Sequence, residues 1–176
     1  AHWIKNFFLF LPLFFSGELL VSAKLFSAGF AFIIFCFLSS TVYVINDLID
    51  QDNDRQHPIK KNRVLAANRL SRTNAYFLLT FLIILDNILI YFHPNLVFPA
   101  GAYIIANAAY SFWLKRVMIA DFLMVSIFYL IRIWAGGLVV NVPLSKWLIL
   151  CTIFITLLIA VAKRRAEFIH HSTRSV

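Results

Sequence analysis

The sequence predicts an all-α bundle of transmembrane helices, and three observations carry that expectation. Of its 176 residues, 61% are apolar and only 14% are charged, against about 45–50% and about 25% in soluble domains. A single domain of this length cannot bury that much apolar surface within itself, so lipid has to be the solvent for much of it. The apolar residues also fall into runs of the length a helix needs to cross about 30 Å of hydrocarbon. Finally, the basic residues gather in alternate connections rather than evenly along the chain.

Six spans follow in order: 7–21, short and interrupted by Pro12, then 25–45, 75–92, 96–114, 119–140 and 147–162. Backbone groups in lipid must find partners within the segment, so each span is a helix. The alternation expected of a membrane β-barrel is absent. The first span lacks a small-residue cleavage site and reads as a retained helix rather than a cleaved leader. Cys36 and Cys151 lie inside apolar spans without CxxC or Cys/His context, which makes them packing residues rather than a disulfide or a zinc site.

Six helices place the N-terminus, the 46–74 and 114–118 connections and the C-terminus on one face of the membrane. That face holds Lys5, Arg55, Lys60, Lys61, Arg63, Arg69, Arg72, Lys115, Arg116, Lys163, Arg164, Arg165 and Arg174, thirteen in all, against Lys24 and Lys146 on the other. By the positive-inside rule the rich face is cytoplasmic. The net charge of +8 is therefore mostly topology, with some of it available to an anionic ligand, and it is not read as a nucleic-acid surface.

One stretch stands apart. NDLIDQDNDRQHPIKKNR, residues 46–63, packs four aspartates and five basic side chains between two membrane spans. If the second helix runs on past the membrane, Asp47, Asp50 and Asp54 fall within roughly 60° of one another on one face, with Asn46 at its edge. Asp52 points away. Carboxylates stacked like this repel, and a divalent cation repays the repulsion. Mg²⁺ takes one or two carboxylates and fills its shell with water and ligand phosphates. The basic sequel Arg55, His57, Lys60, Lys61 and Arg63 suits a diphosphate. A solvated charged loop is the alternative reading of the same residues.

Asn46-Asp47-x-x-Asp50-x-x-x-Asp54 resembles the NDxxDxxxD motif of the UbiA superfamily of intramembrane prenyltransferases. His2-Trp3-Ile4-Lys5-Asn6 resembles that family's lead-in to its first helix, and Tyr110-Ser111-Phe112-Trp113-Leu114-Lys115-Arg116 its Tyr…Lys-Arg element after the fourth. The resemblance implies an enzyme of the bacterial cytoplasmic membrane in which Asp47, Asp50 and Asp54 hold Mg²⁺ against a donor diphosphate. Most members carry a second Asp-rich motif after the sixth helix, where this chain reads Ala162-Lys163-Arg164-Arg165-Ala166-Glu167. With His57-Pro58-Ile59-Lys60-Lys61-Asn62-Arg63, that departure resembles the decaprenyl-phosphate phosphoribosyltransferase branch. The branch implies phosphoribosyl diphosphate as donor, a polyprenyl phosphate as acceptor, and a product used for cell-envelope sugars. Val64 departs from its pattern, where a proline often follows the arginine. Relatives have about nine membrane helices, so the chain resembles their first two-thirds.

The resemblance also sets expectations for single residues. Asn46 would orient a neighbouring carboxylate or a water, while Lys60, Arg63 and Lys115 would bind phosphate oxygens. Arg55, His57 and Tyr110 are further phosphate-binding candidates. Arg132, deep in the fifth span, either faces a cavity or pairs with Asp86 of the third. Lys163 either binds ligand or pairs with Glu167 one turn on. Asp86 and Asn87 read as interhelical contacts, as do Asn107 and Ser111. Two other functions stay open: a prenyltransferase using a prenyl diphosphate and an aromatic acceptor, and an inactive membrane fragment of such an enzyme.

Overall fold

The computed structural model of the chain describes residues 2–56, 60–114 and 118–173, without the side chains of residues 2, 118, 119, 121, 163, 164 and 166–173. It is helical throughout, with no strand among the described residues. A 3-10 helix over His2–Phe10 leads into α1 (Leu11–Phe15), followed by α2 (Ser22–Ile49) and the short α3 (Gln51–Gln56). After a 3-10 turn at Lys60–Asn62 come α4 (Arg72–Phe92), α5 (Val97–Phe112), α6 (Met118–Val140) and α7 (Lys146–Thr173). The expected membrane helix bundle is what forms. Ser22–Ile49, Arg72–Phe92 and Phe122–Val140 are long and apolar enough to cross a membrane, and Trp3–Phe15 and Lys146–Ala162 are shorter apolar helices.

The first span differs from expectation in both position and shape. It starts at His2 and ends at Phe15, where the sequence had placed it over 7–21. Pro12 sits in the first turn of α1, where its missing N–H takes no intrahelical bond away. Gly17, at φ +77°, then turns the chain toward α2. The preceding 3-10 stretch is long for that conformation, and α6 explains how it is held. A Cβ on Gly136 would lie 2.0 Å from the Leu9 carbonyl oxygen, so the two backbones touch directly. Only glycine permits that approach.

The main core joins Leu9 of the first segment with Ile34, Phe35 and Leu38 of α2, Tyr103 of α5 and Ile131 and Ala135 of α6. Helix α6 is central: it packs against the first segment, α2, α5 and α7. Helix α4 packs mainly on α2. Elsewhere large side chains such as Phe77, Phe98 and Phe154 stand exposed, as they do when the surroundings are hydrocarbon. Cys36 is buried and Cys151 exposed, both as free thiols.

A second, smaller cluster of Leu48, Leu65 and Ala75 ties the 63–71 connection to the ends of α2 and α4. Asn68 takes the left-handed conformation at φ 55°, which asparagine tolerates. Ser71 caps α4 by accepting from the Asn74 backbone N–H. This connection fixes where Arg63 emerges.

Candidate active site

Helix α2 does not run straight through the acidic motif. It ends at Ile49, Asp50 forms the cap at φ −90° and ψ 3°, and α3 restarts at Gln51. Helical hydrogen bonding nevertheless carries across the break, from the Asp50 N–H to the Asn46 carbonyl at 2.9 Å and from the Asp54 N–H to the Asp50 carbonyl at 2.8 Å. Buried Gln51 anchors the restart by donating to the Leu65 carbonyl at 3.1 Å. Asp47 and Asp54 stay on one face, close enough for a single Arg63 nitrogen to bond both at 3.1 and 2.8 Å, but the three carboxylates meet different surroundings. Asp47 and Asp50 line a cavity, whereas Asp54 is buried outside its lining and pairs with Arg63 at 2.8 Å.

The cavity measures about 580 Å³ and runs from the end of α2 into the bundle. At the α2 end stand Asn46, Asp47, Asp50, Lys60 and Arg63, with Lys5 from the first segment. Farther in, the wall is Tyr43, Tyr103, Tyr110 and Tyr129 with Phe122 and Phe128, and Arg132 lies among them. Its wall is thus acidic and basic at one end and aromatic with a single guanidinium at the other.

Arg132 is only 4% exposed. Its Nε donates to Asn6 Oδ1 at 2.7 Å, Nη1 to the Phe128 carbonyl at 2.7 Å and Nη2 to the Tyr103 hydroxyl at 3.1 Å. The guanidinium carbon also lies 4.8 Å from the Tyr103 ring centre, a cation–π contact. Every one of these partners is neutral, and no carboxylate pairs with Arg132 among the described residues. The alternative pairing with Asp86 is not what forms. Asp86 Oδ2 instead accepts from Thr41 at 2.6 Å, an α4–α2 contact, and its other oxygen has no partner among the described residues.

The remaining expectations divide. Lys60, Arg63 and Tyr110 reach the cavity wall. Arg55 does not. Its guanidinium is occupied by Asn68 at 2.7 Å and Asp52 at 3.6 Å, on the far side of α3. His57 and Lys115 lie outside the described residues, as does the side chain of Lys163. Ser111 donates to Asn46 Oδ1 at 2.8 Å and so fixes the motif asparagine from α5, the interhelical role foreseen for it. Asn107 and Asn87 instead donate to carbonyls of their own helices, at Tyr103 and Ile83. The sequence reading overlooked Lys5, Asn6, Tyr43, Tyr103 and Tyr129. Two signals were available: the polar pair Lys5-Asn6 inside an apolar opening, and Tyr103-Asn107-Tyr110 at i, i+4, i+7 on one helical face.

Beside the cavity runs a mostly apolar groove lined by Trp3, Ile4, Val44 and Val64, with Tyr43, Asp47 and Arg63 shared between the two. Trp3 Nε1 donates to Ser40 at 3.3 Å across its floor.

Among the described residues, no three His, Cys, Asp or Glu side chains converge as a ready-made metal cage. The donor set still fits Mg²⁺, which uses one or two carboxylates and takes its other ligands from water and phosphate. Asp47 and Asp50 supply those two carboxylates on one cavity wall.

This is a membrane helix bundle with a charged cavity at the end of α2. A family model described as the UbiA prenyltransferase family matches residues 7–166, and the chain belongs to that family. It is similar to the decaprenyl-phosphate phosphoribosyltransferase of Mycolicibacterium smegmatis, 38% identical over 78% of this chain and 43% of that protein. The protein of the same name from Corynebacterium glutamicum is 33% identical over 96% of this chain and 52% of its own length. The nodulation protein NoeC of Azorhizobium caulinodans is likewise 33% identical, over 81% of this chain and 46% of that protein. The chain spans about half the length of the curated relatives it matches.

Proposed function

We propose that the chain carries the catalytic cavity of a Mg²⁺-dependent transferase that moves 5-phosphoribosyl from phosphoribosyl diphosphate to a polyprenyl phosphate. The reaction sits at the cytoplasmic face of the bacterial inner membrane and supplies cell-envelope sugars. One observation carries the choice of donor: Arg132 is buried in the cavity wall with neutral partners alone among the described residues. A buried, uncompensated guanidinium costs several kcal/mol unless an anion arrives. A prenyl chain would leave it unpaired, whereas a sugar 5-phosphate supplies the missing charge.

The other residues divide the work accordingly. Asp47 and Asp50 hold the cation, with Asn46 kept in place by Ser111. The cation supplies positive charge to the departing diphosphate. Lys60 and Arg63 bind diphosphate oxygens, the arginine with bidentate geometry. His57, Lys115 and Lys163 complete the set of candidate phosphate ligands. Tyr103 and Tyr110 flank the ribose, and Arg132 takes the 5-phosphate. The acceptor lays its chain along the apolar groove, so that its phosphate meets the cavity where Asp47 and Arg63 are shared. An acceptor phosphate oxygen then attacks the anomeric carbon while the bond to the diphosphate breaks, and the electron pair leaves with the diphosphate. The attacking oxygen is already ionised, so neither a protein base nor a protein nucleophile is needed. Catalysis is positioning and charge stabilisation.

A transfer assay in nanodiscs tests this. With Mg²⁺, radiolabelled phosphoribosyl diphosphate and a polyprenyl phosphate, label should enter the organic phase and fail to do so in Asp50→Asn and Arg132→Met. Transfer from a prenyl diphosphate to 4-hydroxybenzoate instead would replace the phosphoribosyl reading with the prenyl one. Silence with both pairs would leave this chain a non-catalytic part of its family.

A further inference from the structure

The carboxylate face of the cavity is already partly occupied, by a side chain. Arg63 Nη1 donates to Asp47 Oδ1 at 3.1 Å and to Asp54 Oδ2 at 2.8 Å, so one nitrogen bridges two aspartates of the acidic motif. The Asp54 side chain is 4% exposed and that of Arg63 40%, which makes the bridge a lid on a buried carboxylate rather than a loose surface pair. The arrangement is not incidental to the loop. Leu65 is buried against Leu48 and Ala75 two residues farther on, and the Arg63 N–H caps back onto the Lys60 carbonyl at 2.9 Å.

We propose that Arg63 is the resident counter-ion of this face and yields Asp47 to a divalent cation only when a diphosphate arrives to receive the arginine. The inference rests on the reading of Asp47 and Asp50 as cation ligands. Without Arg63, three aspartates would crowd the end of α2 and repel one another. With it in place, an incoming cation must approach a carboxylate that already serves a positive charge, and like charges a few ångström apart oppose each other. A diphosphate removes the conflict, because its oxygens offer the guanidinium a bidentate partner beside the cation. Cation and donor therefore bind together more strongly than either alone, a coupling between two ligands through one side chain. The same exchange leaves Asp54 beneath the site as the hinge on which Arg63 turns.

Mn²⁺ binding, read by the electron paramagnetic resonance of the free ion, tests the exchange without turnover. The proteins are the wild-type chain, Arg63→Gln, Arg63→Lys and Asp50→Asn, each with and without inorganic pyrophosphate. Without pyrophosphate, Arg63→Gln should bind Mn²⁺ about tenfold tighter than wild type, the effect of removing one nearby positive charge. Pyrophosphate should then strengthen wild type far more than Arg63→Gln. The Arg63→Gln melting temperature should fall in metal-free buffer and recover with Mn²⁺. Lysine keeps the charge on a shorter, more strongly hydrated and freely rotating head that holds the two carboxylates less firmly, so Arg63→Lys should bind Mn²⁺ about threefold tighter than wild type. That second variant decides the matter if the glutamine variant does not fold. Equal or weaker Mn²⁺ binding in both Arg63 variants, with binding still lost in Asp50→Asn, would overturn the exchange while leaving the cation site standing. Binding no better than Asp50→Asn in every protein, pyrophosphate included, would remove the cation reading and this inference with it.

Discussion

Asn6 and Arg132, separated by 126 positions in the chain, meet inside the bundle in a 2.7 Å hydrogen bond from Nε to Oδ1. Asn6 is fully buried and also donates from Nδ2 to the Cys36 sulfur at 3.3 Å. The first segment, α2 and α6 are thereby joined at one polar point in an apolar core. The bond leaves Arg132 oriented into the cavity with its charge intact, because asparagine offers an oxygen without a counter-charge.

That relationship gives the first prediction. Asn6→Asp would hand Arg132 a carboxylate and satisfy it internally. Thermal stability in detergent should hold or rise, while phosphoribosyl transfer falls at least about tenfold as the neutralised guanidinium loses its hold on phosphate. Asn6→Ala should lower stability by about 1–3 kcal/mol through the unpaired N–H. A fully active Asn6→Asp would remove Arg132 from the list of anion ligands.

Asp50 and Asp54 stand four residues apart in one motif yet should respond differently. Asp50→Asn is expected to abolish transfer with little change in melting temperature, since its carboxylate faces the cavity. Asp54→Ala should unfold more readily, by about 1–2 kcal/mol, because it removes the buried end of a pair whose half-exposed Arg63 keeps only Asp47. Paired melting curves and transfer rates for the two variants check this. Equal loss of stability in both would mean that their different surroundings, cavity wall against buried pair, do not separate their roles.

Gly136 offers a test of the fold itself. A methyl group there would press on the Leu9 carbonyl at 2.0 Å, whereas nothing lies within 4 Å of a Cβ on Gly101. Gly136→Ala should therefore cost about 1–3 kcal/mol or more, the range for overpacking. Gly101→Ala, in a helix interior, should be neutral or stabilising by up to about 1 kcal/mol. Chemical denaturation of the two in the same detergent compares them directly.

Orientation is open to labelling. In a background lacking Cys36 and Cys151, Arg69→Cys should react with an impermeant maleimide only after the cells are opened, and Ser145→Cys in intact cells. The reverse pattern would turn the cavity to the outside, away from any cytoplasmic sugar phosphate.

Much of the architecture was legible in the chain because lipid imposes a simple rule. A helix that satisfies its own backbone must be apolar for a membrane's width, so its spans can be counted from composition. Helices α2, α4, α5 and α6 stand close to where the apolar runs put the second to fifth spans, and the acidic motif lies at the end of α2. The first span was misplaced because its limits come from elsewhere: contact with Gly136 holds a 3-10 stretch that no local propensity favours.

The sequence by itself determined that this is a membrane helix bundle with an acidic motif followed by cations. Those properties belong to composition and to short spacings, which survive without knowledge of contacts. Tertiary structure alone decided which motif residues face the cavity, since the 63–71 connection lays Arg63 across Asp47 and Asp54 and leaves Asp54 buried beneath it while Asp47 and Asp50 line the wall. It also chose Asn6 over Asp86 as the partner of Arg132. Both outcomes depend on side chains brought together from distant parts of the chain, and periodicity along one helix carries no record of what packs against it.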